Sequence, residues 1–297
     1  MKSKVLAASV LATVLSASAF AADLPSIKAP LVVPPPPPLW TGFYVGANAG
    51  GILGGNPGLT SSGVDIYDDY YPAAAGAAGA LSADASGIGN GNRGSFSGGA
   101  QVGFNYQFNP SFLVGVEADI QGVAGSSVNT AFTSAAPDPL GSPTTMLTSA
   151  QFQGSLDYVG TVRARAGYLV TPTLLVYGTG GLAYANANMS ASYATIDLAG
   201  IYGPGFASSS YSDTRVGWTA GGGVEWMFLP NWSAKLEYLY YDLGTVTLNS
   251  VVTWGSLGYY GYGYSTSASA RFNGNLVRAG VNYHFTWGAP VPVLAKY

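Results

Sequence analysis

The 297-residue chain has no cysteine. That excludes a disulfide framework and a thiolate metal site, so the fold must rest on burial and backbone hydrogen bonds. Charge is scarce too. Only 8% of residues are Asp, Glu, Lys or Arg, against about 25% in ordinary soluble domains. The balance is slightly acidic, 11 basic to 14 acidic residues, which argues against a nucleic-acid partner. There is one histidine, His284, and no Gly-x-Ser-x-Gly elbow. Hydrolytic chemistry needs an activated nucleophile beside a base, so no catalytic residue, cofactor or metal site is expected. Beyond residue 21 no run of eighteen apolar residues occurs, which excludes a membrane-spanning helix.

What the sequence does contain begins with an export pattern. Lys2 and Lys4 precede an apolar run from Val5 to Val14, and small residues end at Ala19-Phe20-Ala21. Residues 1–21 read as a secretory signal peptide. Its removal leaves nine basic residues and a net charge of about −5. Residues 22–39 hold Pro25, Pro30 and the run Pro34 to Pro38, and read as a stiff polyproline spacer in the periplasm. The rest is rich in Gly (42) and Tyr (21), with a mean hydropathy of +0.23. Inside a bilayer only helices and closed barrels satisfy every backbone group. An exported chain, apolar on average and without spanning helices, points to a barrel in the bacterial outer membrane.

From Trp40 onward apolar and polar residues alternate. Phe96, Ala100, Val102, Phe104, Tyr106 and Phe108 share one face, with Ser95, Ser97, Gln101, Asn105 and Gln107 on the other. That period of two is a strand with one face for lipid and one for a polar interior. It recurs at 112–124, 156–168, 216–228, 234–240 and 277–285, and more weakly at 43–49 and 174–186, where small residues blur the faces. The expectation is an all-β fold, an eight-stranded antiparallel transmembrane barrel over 40–285, with 286–297 as a periplasmic tail. Short joints at Asn109-Pro110-Ser111, Thr171-Pro172-Thr173 and Pro230-Asn231 alternate with long ones at roughly 54–93, 125–150, 189–213 and 247–271. The short joints suit periplasmic turns and the long ones four outer loops. The outer segments read as extended hairpin tops with some aromatic girdle. An even strand number puts both barrel ends in the periplasm.

Nearly every strand charge falls on the inward face. Arg or Lys facing mid-membrane lipid costs about 2–4 kcal/mol. Inside, Glu117, Asp119, Asp157, Glu225 and Glu237 face Arg163, Arg165, Lys235 and Arg278. An eight-stranded barrel is just wide enough for side chains to fill, so a packed charge network is expected in place of a wide pore. Two other readings of these residues are an anion site at Arg163 and Arg165, and paired acids at Glu225 and Glu237. In the first outer loop, Asp65, Asp68 and Asp69 form an acidic cluster whose spacing matches no calcium loop.

The last strand carries Arg278-x-Gly280-x-x-Tyr283-x-Phe285, which resembles the signal by which the bacterial barrel-assembly machinery recognises its clients. Six further segments are similar to one family: Trp40-Thr-Gly-Phe-Tyr-Val-Gly46, Val116-Glu-Ala-Asp-Ile-Gln-Gly122, Gly160-Thr-Val-Arg-Ala-Arg-Ala-Gly-Tyr168, Val176-Tyr-Gly-Thr-Gly-Gly-Leu-Ala-Tyr184, Gly217-Trp-Thr-Ala-Gly-Gly-Gly-Val-Glu225 and Asn231-Trp-Ser-Ala-Lys-Leu-Glu-Tyr-Leu-Tyr-Tyr-Asp-Leu-Gly244. In this order they resemble the porin-like outer-membrane β-barrel family of alphaproteobacteria, which includes major surface antigens. The resemblance implies an eight-stranded barrel, a part in envelope integrity and exposed outer loops. It supplies no catalytic motif. The chain departs from the pattern in continuing past Phe285, and in a long first outer loop rich in Ala and Gly.

The function expected is a structural barrel that displays surface loops. Outer-membrane lipid, lipopolysaccharide and, during insertion, the assembly machinery are its partners; oligomeric state is open. The alternatives are a narrow porin-like channel for small solutes, or ligand capture by the loops, for example of haem or a host surface.

Overall fold

In the computed structural model, the residues described are 40–53, 59–66, 94–137, 145–200, 203–256 and 259–285. The expected signal peptide, Pro-rich spacer and tail lie outside them, as do Asp68 and Asp69 of the acidic cluster. Among the described residues there are ten strands and no helix. They are β1 (Gly42–Leu53), β2 (Leu59–Asp65), β3 (Ser95–Gln107), β4 (Phe112–Ala124) and β5 (Val128–Pro137), then β6 (Thr145–Thr171), β7 (Leu174–Asp197), β8 (Gly205–Leu229), β9 (Trp232–Ser256) and β10 (Tyr259–His284).

Eight of them close a ring in the order β1-β3-β4-β6-β7-β8-β9-β10, and β10 pairs back onto β1 from Tyr44↔His284 to Leu53↔Asn275. Closure removes the free edges that would expose unpaired backbone to lipid. The other two strands add to the wall beyond the ring: β2 pairs with β10 at Tyr264–Ala270, and β5 with β6 at Thr145–Gly154.

The tight turns sit together at one end. Asn109 Oδ1 accepts from the backbone N–H groups of Ser111 (2.8 Å) and Phe112 (2.7 Å), an Asx turn built from a short side chain. Asn231 has φ 70°, a left-handed conformation that Asn tolerates better than most residues. Its Nδ2 donates to the His284 carbonyl at 2.7 Å. Trp40 Nε1 donates to the Pro172 carbonyl at 3.0 Å. The first and last strands therefore begin and end beside these turns, as an even-stranded barrel requires.

At the other end the segments expected as outer joints are largely strand. β6 to β10 run 24–27 residues each, more than twice the 9–11 that cross a bilayer. Their alternation changes sense above the membrane. Outward on β7 come Val176, Leu182 and Tyr184, then Asn186, Asn188, Ser190 and Ser192. Outward on β8 come Trp226, Val224, Trp218 and Val216, then Thr214, Ser212, Ser210 and Ser208. Tyr158, Tyr184, Trp218 and Tyr240 mark this boundary. Phe112, Tyr168, Trp226, Trp232 and Tyr283 mark the lower one, with ring pairs such as Trp232–Tyr283 at 5.2 Å. Aromatic residues favour such interfaces.

Bulges accompany the change. In β6 the register against β7 skips between Leu156 and Val159, and in β10 against β9 between Arg271 and Asn273. Among the described residues, β8 and β9 form ladder pairs from Trp218↔Asp242 downward, and above that only at Phe206↔Thr253.

Candidate functional site

The inward charges lie in one layer inside the ring. Alternation puts Glu117 and Asp119 of β4 two residues apart on the inner face, and likewise Arg163 and Arg165 of β6, and Lys235 and Glu237 of β9. Strand pairing then sets opposite charges face to face: Glu117↔Arg163, Glu225↔Lys235 and Glu237↔Arg278.

Contacts reach across the barrel as well. Arg163 meets Glu117 at 2.5 Å, Asp119 at 2.9 Å and Glu237 at 2.9 Å. Arg278 meets Glu237 at 2.6 Å and Asp119 at 2.8 Å. Lys235 Nζ lies 2.8 Å from Glu117, and Arg165 lies 2.7 Å from Glu225. All eight residues are buried. Four bases face four acids, so the layer carries no net charge. Isolated buried charges are very costly, and only mutual pairing with hydrogen bonds makes them tolerable.

Asp157 is not part of this layer. Its side chain is exposed, where it accepts from Asn188 Nδ2 at 2.9 Å. The reason is the bulge between Leu156 and Val159. Counting by twos from Arg165, Arg163 and Thr161 leads inward to Val159 and then Asp157. The extra residue breaks that parity, and Leu156 takes the inward place.

Neutral groups complete the layer. Tyr44 Oη donates to Glu117 at 2.7 Å and accepts from Arg165 at 2.9 Å. Tyr177 Oη donates to Glu237 at 2.9 Å, and the Arg165 guanidinium lies 4.1 Å from the centre of its ring. Gln101 and Asn282 link onward to Glu225. The tyrosines escaped the sequence reading because alternation alone gives Tyr to either face. The close approach of the Tyr44 ring depends on Gly103, where a Cβ would lie 2.3 Å from it.

Two apolar layers enclose the charges. On the turn side lie Trp40, Leu113, Leu169, Leu175, Tyr177 and Met227. On the outer side Val159, Leu239, Tyr241 and Leu276 begin a larger cluster that continues through Phe152, Met189, Leu248, Tyr264 and Phe272 into the hairpins. The sequence reading foresaw a polar filling. It missed both apolar plugs: the turn-side one lies where both strand faces are apolar, as at Phe112 and Leu113, and only the outer one runs on into the inverted alternation.

His284 sits at the turn end of β10, buried, with its ring 5.6 Å from Trp40 and 5.3 Å from Tyr44. Its Nε2 lies 2.8 Å from Ser233 Oγ and 3.4 Å from Glu225 Oε1. Acyl-transfer triads place the nucleophile and the carboxylate on opposite imidazole nitrogens. Here both approach the same nitrogen, inside a closed core. Of the proposed assembly signal, Arg278 points into the charge layer, Tyr283 and Phe285 are outward and about one-third exposed (37% and 38%), and Gly280 lies on β10 between Arg278 and Tyr283.

A sequence model of the outer membrane protein beta-barrel domain matches residues 7–285. The chain belongs to that family. It is 35% identical to the 31 kDa outer-membrane immunogenic protein of Brucella melitensis over 288 residues, 96% of this chain and 100% of that protein. It is 30% identical to the 22 kDa outer membrane protein of Rhizobium leguminosarum bv. viciae over 147 residues, 50% of this chain and 52% of that protein. Among solved structures it resembles the outer membrane protein OprG of Pseudomonas aeruginosa, at 11% identity and a TM-score of 0.33, over 82% of this chain and 97% of that one. The protein is thus an outer-membrane β-barrel of the alphaproteobacterial surface-antigen type.

Proposed function

We propose that this barrel is a structural and surface-displaying component of the outer membrane, with a lumen closed to solutes and no catalytic role. One observation carries the reading. The charge layer is neutral, paired and capped on both sides by packed apolar side chains. A conducting pore needs water along its axis and ion sites weak enough to leave. Here the guanidinium and carboxylate groups bind one another, and the plugs above and below would have to be moved aside.

Single-channel recording in planar bilayers tests this. The expected result is no sustained step above the baseline at moderate voltage. Stable, ion-selective openings from the intact protein would overturn it and favour the narrow-channel reading.

A further inference from the structure

Beyond the outer aromatic row, the outward face of β6, β7 and β8 carries two clefts, one above the other. The lower, of ≈ 270 Å³, is floored by Asn188, Ser190, Ser210 and Ser212. The upper, of ≈ 540 Å³, is built from two rows of paired residues. One row is Gln151↔Ser192↔Ser208, and the next is Ser149↔Ala194↔Phe206. Ala194 leaves a dip between its neighbours, and Phe206 stands beside it 66% exposed. Among the described residues, no Asp, Glu, Lys or Arg lines either cleft.

That combination selects a chemistry. Serine hydroxyls and carboxamides both donate and accept, whereas a charged ligand would find no counter-charge. An aromatic face beside them offers an apolar plate. A sugar ring presents a C–H face on one side and hydroxyls around its edge, and fits both.

The position selects the source. These residues continue the outward stripe of the ring strands past Tyr184 and Val216, so the clefts open sideways over the outer leaflet. Ser192 lies eight residues beyond Tyr184, which is about 20 Å at the usual rise and tilt of barrel strands. At that height the acyl chains and phosphates of a neighbouring glycolipid have been passed, and its saccharide stands alongside.

We propose that this flank binds the uncharged outer-core hexoses of lipopolysaccharide in the same leaflet. Phe206 is the stacking plate, and Gln151, Ser192 and Ser208 are the hydrogen-bonding row. The lower cleft guides the same chain as it leaves the membrane. The proposal deepens the structural reading above by naming its partner. It stands apart from the sealed lumen, because Gln151, Ser192, Phe206 and Ser208 all alternate outward.

The test uses the full-length protein folded in detergent micelles and a neutral outer-core hexose oligosaccharide of lipopolysaccharide. Titration followed by NMR is expected to show saturable binding. Phe206→Ala should weaken it about tenfold, as expected for loss of one stacking contact. Ser192→Trp, which fills the cleft from its floor, should abolish it. Ser267→Ala, outward on β10 and away from both clefts, should leave it unchanged. Folding of each variant is checked by gel migration with and without heating. Three results would each overturn the proposal: no saturable binding to the wild-type protein, binding insensitive to both cleft variants, or equal binding of an unrelated neutral oligosaccharide such as maltoheptaose. None of them alters the conductance measurement on which the closed lumen depends.

Discussion

Glu117 is the hub of the interior. It takes contacts from Tyr44, Arg163, Lys235 and Arg278. Removing one member of a buried ionic network leaves its partners uncompensated, at about 3–5 kcal/mol. Glu117→Ala is expected to lower the urea midpoint of unfolding in micelles by that order. A fall indistinguishable from that of an outward Ser→Ala change would count against a load-carrying network. Above the membrane, Tyr264 is buried and its Oη lies 2.8 Å from Thr195 Oγ1. Burial pushes its hydroxyl up to about 12. A group whose folded pKa lies above its unfolded value of about 10 keeps its contribution below that pH and loses it as pH rises through the folded value. The outer hairpins are therefore expected to become protease-sensitive between about pH 10 and 12, with Tyr264→Phe flattening the dependence. At this scale Arg163, Arg165, Lys235 and Arg278 were legible in the sequence, because a charge in an alternating strand has only one tolerable side. Asp157 was misread because parity counting presumes an unbroken ladder, and a bulge leaves no mark in residue types.

At the scale of the strands, existence was legible and length was not. The eight membrane crossings announce themselves by oil outside and polar side chains within. The same strands then run on with the opposite sense, in Ser-, Asn- and Ala-rich stretches that also suit loops. Only the partner strands reveal that Ala185, Ala187, Met189 and Ala191 pack an interior. Among the described residues, the joint between β8 and β9 is weak. Between Phe206 and Trp218, β8 lacks ladder pairs to β9, and side-chain links such as Ser250 Oγ to Ser209 Oγ at 2.7 Å span part of the gap. Amides of 207–217 that point toward β9 should exchange with deuterium faster than those pointing toward β7, where pairing is continuous. Equal protection on the two sides would mean that the joint is closed in solution.

For the molecule as a whole, closure of β1 on β10 was implied by the even number of crossings and by turns gathered at one end. Because every long strand passes from the membrane into the medium without a break, the projecting part is a β-sheet column carrying neighbouring side chains on opposite surfaces. An antibody approaching from outside meets only every second residue of a strand, together with residues of the strand alongside that are distant in sequence. In the stretch from Asn186 to Ser192, for instance, it can touch Asn186, Asn188, Ser190 and Ser192 while Ala187, Met189 and Ala191 stay hidden. Epitopes on this surface are thus conformational by construction, and immunisation with the folded barrel, not with peptides copied from its exposed segments, is the route to sera that bind intact cells.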